Sequence, residues 1–208
     1  MKRYYRMRGG KILVVSALSF VLIPHILFFT FSKSKPTIKK DVYRWLECTI
    51  KEHHWIVSDL LYLLVFVQEF RNVFYLRLGR KAMVLKYLRP LSSLYINTKS
   101  ENFGAGTFIQ HGFSTVITAE KIGENCWINQ QVTIGFNGSR KYGFGRPTIG
   151  DRVRISAGAK VCGKVIIGDD STIGMNAVVV KDVPPQSVVI PSPMFLIREN
   201  GNETYKQL

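Results

Sequence analysis

The sequence predicts a mainly β fold, a parallel β-helix preceded by an α-helical, membrane-seeking N-terminal region, on three observations. From Ile149 to Val179 an aliphatic residue stands at every sixth position: Ile149, Ile155, Val161, Ile167, Ile173 and Val179. Glycine follows that residue at Gly150, Gly168 and Gly174. The first hundred residues lack this beat and hold the long apolar runs and most of the basic charge. A period of six fits neither the 3.6 of a helix nor the 2 of an ordinary strand, and is the hexapeptide signature of a parallel β-helix.

Upstream the same beat reads Val116, Ile122, Ile128 and Ile134, preceded by the weaker pair Phe103 and Ile109, so the solenoid is expected to begin near Phe103. Two breaks interrupt it: a spacing of seven between Ile109 and Val116, beside His111, and one of fifteen between Ile134 and Ile149. The second places a polar, glycine-containing loop at Phe136 to Pro147. Insertions in solenoids collect on the binding face. Small or β-branched residues two positions before the aliphatic ones (Cys126, Val132, Val153, Ala159, Val165, Ser171, Ala177) suit the corners of a triangular coil.

Charge divides the chain. Residues 1–100 hold 18 Lys+Arg against 5 Asp+Glu, and residues 101–208 hold 11 against 9, so +13 of the formal +15 precedes the solenoid. No helix-turn-helix, finger or stacking motif is present to read bases, which excludes nucleic acid as the expected partner. An anionic membrane surface accounts better for a basic half that also holds the apolar segments. Three cysteines, Cys48, Cys126 and Cys162, lack metal-ligand or CxxC spacing and give no disulfide framework.

Ile12 to Phe31 is twenty residues without a formal charge, preceded by Lys2, Arg3, Arg6, Arg8 and Lys11 and followed by Lys33, Lys35, Lys39 and Lys40. Twenty apolar residues match the hydrocarbon thickness of a bilayer. Phe28-Phe29-Thr30-Phe31 does not resemble a cleavage site, which argues against export. Basic flanks on both sides favour holding both ends in the cytoplasm, and Pro24 would kink a helix near its middle. A re-entrant or in-plane anchor, a single span and a buried helix all remain open. Residues 1–40 are accordingly read as a basic, apolar anchor segment, 41–94 as a helical region, 95–190 as the β-helix and 191–208 as a tail. In the helical region, Phe70, Val73, Phe74 and Leu76 alternate with Arg71, Arg77, Arg80 and Lys81. That stretch suits either a membrane surface or a cap on the open first coil.

Four histidines, His25, His53, His54 and His111, are too few to build a zinc site across adjacent coils, and no metal is expected. Only His111 lies in the solenoid, where the register slips. Transfer of an acyl group to an alcohol needs a base near neutrality to take the hydroxyl proton, and donors for the developing oxyanion.

Phe108 to Asp182 contains HG after an apolar run, QQVTIG at Gln130 to Gly135, SAGAKV at Ser156 to Val161 and KDVPPQS beginning at Lys181. These motifs resemble the hexapeptide-repeat acyltransferases, and within them the serine O-acetyltransferases and the capsule and lipopolysaccharide O-acetyltransferases. The resemblance implies a left-handed parallel β-helix assembled as a homotrimer, with acetyl-CoA as acyl donor in a groove between subunits. It implies His111 as the catalytic base, and Gly135, Ala157 and Met175 along the pantetheine arm, Met175 standing where alanine is usual. Gln110 and Arg146 fall at the acceptor side. Serine acetyltransferases have aspartate before the histidine, where this chain has Gln110, and an Arg-His pair where it has Gly145-Arg146. They also have an orienting aspartate fifteen residues before the histidine, where it has Ile96.

The expected function is therefore an acetyl-CoA-dependent O-acetyltransferase without metal, at the cytoplasmic face of the inner membrane or in the cytoplasm. A sugar hydroxyl of a surface polysaccharide is the expected acceptor, because an anchored enzyme shares the plane of a lipid-linked precursor. Serine O-acetylation in cysteine biosynthesis is the alternative, and a non-catalytic β-helix scaffold the third reading.

Overall fold

A computed structural model describes residues 20–49, 55–136, 138 and 144–192, together with the backbone of 195–199 and 202–207. The described chain opens with helices α1 (Ile23–Phe31), α2 (Lys35–Thr49), α3 (Ile56–Phe66) and α4 (Gln68–Leu78) and a 3-10 segment (Gly79–Leu85). Short strands follow: β1 (Leu94–Ile96), β2 (Phe108–Ile109), β3 (Thr115–Ile117), β4 (Lys121–Ile122), β5 (Trp127–Ile128), β6 (Thr133–Gly135) and β7 (Thr148–Ile149). They continue as β8 (Arg154–Ile155), β9 (Lys160–Cys162), β10 (Ile166–Ile167), β11 (Thr172–Ile173), β12 (Val178–Val179) and β13 (Val188–Val189). An antiparallel hairpin, β14 (Phe195–Glu199) with β15 (Asn202–Gln207), ends the fold.

The strands β1 to β13 form three parallel sheets that the chain visits in rotation. Face A is β1-β3-β6-β9-β12, face B is β4-β7-β10, and face C is β2-β5-β8-β11-β13. This is the triangular parallel β-helix that the sixfold beat predicts. Ile128, Ile155, Ile134, Val161, Ile149 and Ile167 are all 0–1 % exposed and fill its axis. Each such side chain contributes about 1.5–3 kcal/mol by leaving water.

The corners follow from sequence as well. Gly106, Asn125, Gln131, Arg152, Gly158, Asp170 and Asn176 adopt φ between 54° and 74°. Each directly precedes a small or β-branched buried corner residue, such as Cys126, Val132 or Ala159. The left-handed region turns the chain sharply where only a small side chain fits inside. At the corner after face B, coils approach so closely that glycine is obligatory: a Cβ on Gly123 would lie 2.4 Å from the Gly150 carbonyl.

One element of the beat is corrected. Val116 is not the inward residue of its strand; Ile117 is 0 % exposed and pairs with Ile134, while Val116 pairs with Thr133. The turn at His111 therefore absorbs two extra residues, and the next spacing, Ile117 to Ile122, shortens to five. The coil also starts earlier than Phe103, because β1 pairs with β3 and places Ile96 beside Ile117.

The helices cap the first coil. Trp45 of α2 is fully buried, donates its indole N–H to the Thr107 carbonyl at 2.9 Å and meets Phe108 edge-on at 4.9 Å. Arg77 of α4 is buried against Asp41 of α2 at 2.8 Å and also donates to the carbonyls of Ser100, Phe103 and Gly104. Asp41 in turn accepts the Gly106 N–H at 2.7 Å. Arg71 is buried too, donating to the carbonyls of Leu64, Val65 and Arg89. The basic stretch 70–81 is thus tied into the protein at Arg71 and Arg77, while Arg80 and Lys81 stay exposed.

The N-terminal anchor fares differently from its reading. Residues 1–19, which include the first part of the apolar run, lie outside the described residues, as do His53 and His54. The described remainder forms only α1, nine residues long, with Pro24 in its first turn, where proline fits a helix, rather than at a mid-helix kink. Leu22, His25 and Phe29 of this segment are buried against the protein. Among the described residues no helix is long and apolar enough to cross a membrane.

Candidate active site

His111 stands on the corner between β2 and β3, exposed, with φ of 53°. A histidine in the left-handed region is uncommon and persists only where surroundings over-determine it. Here three contacts do so. The His111 carbonyl accepts the Phe113 N–H at 2.7 Å, closing a tight turn. Just before the histidine, the Gln110 side-chain oxygen accepts both the Trp127 indole N–H and the Asn129 amide, each at 3.1 Å. Just after it, Gly112 donates its N–H to Glu69 of α4 at 3.2 Å.

Glu69 is the residue that sequence reasoning missed. The family pattern places an orienting carboxylate fifteen residues before the histidine, but Ile96 occupies that position and lines the face A column beside Ile117. Asn97 donates to the Thr118 hydroxyl at 3.2 Å. The carboxylate beside the turn instead comes from the helical cap. Glu69 gave no motif of its own, and its contact with the turn arises only from packing of α4 on the first coil.

The same corner carries Phe113, Gln130, Ala157 and Met175 on successive coils. Gln131 donates to the Phe113 carbonyl at 3.1 Å, Gly158 to the Gln130 carbonyl at 3.1 Å and Asn176 to the Ala157 carbonyl at 3.0 Å, so His111 stands two residues before this column, in the bulge that opens the corner. Ala157 is half-buried and Met175 is 66 % exposed. Gly135 lies elsewhere, at the far end of β6, on the edge of face A opposite to His111. Phe136, the first residue after β6, stands at that far edge, where the loop begins. Phe136 and Phe144 meet edge-on at 5.0 Å at its base, and residues 137 and 139–143 lie outside the described residues. Arg146 is exposed beside them.

The site fits an elongated thioester donor in one testable respect. A Cβ on Gly135 would meet only Thr133 Cγ2, at 3.6 Å, among the described residues, and its φ is not left-handed, so none of the described residues requires glycine there. A glycine without an internal reason leaves the backbone open to close approach by a ligand. Among the described residues no group of three or more His, Cys, Asp or Glu is gathered as a metal would need.

The coil has the geometry of a hexapeptide-repeat β-helix. Residues 146–181 match the bacterial transferase hexapeptide (six repeats) family model. A serine acetyltransferase of Mycobacterium tuberculosis is 54% identical over 100 residues, covering 47% of this chain and 42% of that protein. The chain thus spans about half the length of the curated relatives it matches. Among solved structures, Neisseria gonorrhoeae serine acetyltransferase in complex with serine aligns with a TM-score of 0.57 at 24% identity, covering 76% of this chain and 67% of that one. Brucella abortus strain S19 serine acetyltransferase in complex with coenzyme A aligns with a TM-score of 0.57 at 22% identity, covering 83% and 69%. The structural likeness establishes a shared fold.

Proposed function

We propose that this chain transfers an acetyl group from acetyl-CoA to the hydroxyl of serine, with His111 as general base. The observation that carries the reading is the clamped left-handed turn at His111, in a chain that is 54% identical over 100 residues to a serine acetyltransferase. The polysaccharide acceptor rested on a membrane-seeking N-terminal half, which names no acceptor by itself, whereas the relatives found are serine acetyltransferases.

In the reaction His111 takes the hydroxyl proton as that oxygen bonds to the thioester carbonyl carbon. The C–S bond then breaks, and the imidazolium returns the proton to the departing sulfur. The base is restored, and the products are the O-acetyl ester and free thiol. Gln110 spends its amide oxygen on Trp127 and Asn129, so it offers the site its NH2, a donor. That group suits a carboxylate or a developing oxyanion. Arg146 serves as the cation for the carboxylate of an amino-acid acceptor.

The two edges of face A account for assembly. His111, Ala157 and Met175 line one edge, Gly135 and the loop base the other. Copies of a left-handed coil packed edge to edge in a homotrimer bring one subunit's histidine edge against the next subunit's Gly135 edge, forming the donor groove between them. The 95–190 segment is the catalytic unit in this reading, and a cytoplasmic location supplies its acetyl-CoA. Acetyl transfer assayed by product mass with L-serine, and separately with a hexose acceptor, tests the assignment. Serine turnover supports it, and turnover of the sugar alone overturns the acceptor.

A further inference from the structure

Helix α1 is apolar on opposite faces. Its inward stripe, Leu22, His25 and Phe29, is buried. Its outward stripe, Ile23, Leu27 and Phe31, repeats at i, i+4 and i+8 and is 42, 50 and 81 % exposed. Phe20 adds a ring that is 80 % exposed. The 3-10 segment extends the same surface with Met83 and Val84, 75 and 67 % exposed. The two elements are joined by Tyr87, whose hydroxyl donates to the Val21 carbonyl at 2.6 Å. A groove of about 440 Å³ opens beside them, between Leu27, Phe31, Lys33 and Lys81. A helix apolar all round needs cover on both sides, and an exposed apolar patch of this kind marks a contact surface.

Charge says what covers it. Lys33 and Lys81 line the groove, and Arg80 and Lys86 are exposed within and at the end of the 3-10 segment. Residues 1–40 and 79–90 contain no Asp or Glu at all, and the first acid of the chain, Asp41, is consumed by Arg77. A second copy of the chain docked through this patch would set these cations against themselves. An apolar layer under a sheet of negative charge satisfies both features.

We propose that the outer face of α1 and the 3-10 segment docks on an anionic lipid bilayer, lying in its interface without crossing it. The aromatic and aliphatic side chains enter the acyl boundary while the four cations meet the headgroups. The docking holds whatever the acceptor, so it stands apart from the serine reading.

The test is sedimentation of the full chain with vesicles of phosphatidylcholine alone and of equal parts phosphatidylcholine and phosphatidylglycerol. Pelleting with the anionic vesicles, lost with added salt and weakened about tenfold or more by the pair R80E and K81E, is the expected result. The pair L27S and F31S gives the same loss by a different route. Far-UV circular dichroism and thiol release from acetyl-CoA stay unchanged in both, which separates lost docking from misfolding. Absence of pelleting overturns the proposal, as does pelleting untouched by either pair. Self-association that both pairs abolish in the absence of vesicles also overturns it, naming a second copy as the occupant.

Discussion

Glu69 accepts the backbone N–H of Gly112 at 3.2 Å, so a carboxylate from helix α4 holds the residue that follows His111. Removing it frees a turn held at an unfavourable φ. Glu69→Ala is expected to lower kcat about tenfold while leaving the KM for acetyl-CoA nearly unchanged, because a small misplacement of a catalytic group is costly. Glu69→Gln keeps an acceptor oxygen and is expected to retain most activity. Steady-state kinetics on the two variants, beside hydrogen exchange at the Gly112 amide, check this. Equal loss in both would argue against a role for the hydrogen bond.

Gly112 itself has no room to grow. A Cβ there would lie 2.9 Å from Ile109 Cγ2, 3.1 Å from Glu69 Cγ and 3.1 Å from Leu94 Cδ2. Gly112→Ala is expected to cost about 1–3 kcal/mol by overpacking and to displace Glu69. Urea denaturation and kcat should therefore fall together in this variant.

The Asp41–Arg77 pair joins cap to coil and is buried on both sides, with side chains 2 and 1 % exposed. Arg77→Met leaves Asp41 buried without its partner and is expected to destabilise by about 3–5 kcal/mol. The double variant with Asp41→Leu removes the stranded charge and is expected to recover part of that loss. A double-mutant cycle by chemical denaturation measures the coupling.

His25 gives the fold an acid-sensitive point. It is fully buried, with Nε2 3.1 Å from the Tyr75 hydroxyl and Nδ1 3.3 Å from that of Tyr87. Burial lowers its pKa to about 4, helped by the charge of Arg71 and opposed by a hydrogen bond with the Leu85 backbone. The folded state therefore binds this proton less tightly than the unfolded chain. Its neutral form is undisturbed above about pH 6.5, and stability falls between there and about pH 4, by on the order of 3 kcal/mol. Thermal melts at pH 7 and 4.5 should show a smaller drop in His25→Gln than in the wild type.

Much of the coil was legible in the sequence because one inward aliphatic every six residues leaves a single geometry that buries them all. Where that signal failed, two aliphatics stood side by side: Val116 and Ile117 are equally apolar, and only the pairing of Ile117 with Ile134 decides between them. The histidine was legible for the same reason that the register was not, since the slip in the beat is the bulge that presents it. Glu69 was invisible because its role arises from helix-to-coil packing between residues 43 positions apart. The apolar run at the N-terminus read as one twenty-residue segment, whereas its described part is a short helix with Pro24 in the first turn, whose inner stripe, Leu22, His25 and Phe29, is buried.

The most direct test of the account is thiol release from acetyl-CoA with L-serine as acceptor, wild type beside His111→Ala. The account predicts serine-dependent release that falls by about 100-fold or more in the variant, the range expected when a general base is lost, with thermal stability unchanged. Equal release by the two proteins would contradict the assignment of His111 as base, and absence of release from the wild type would contradict serine as the acceptor.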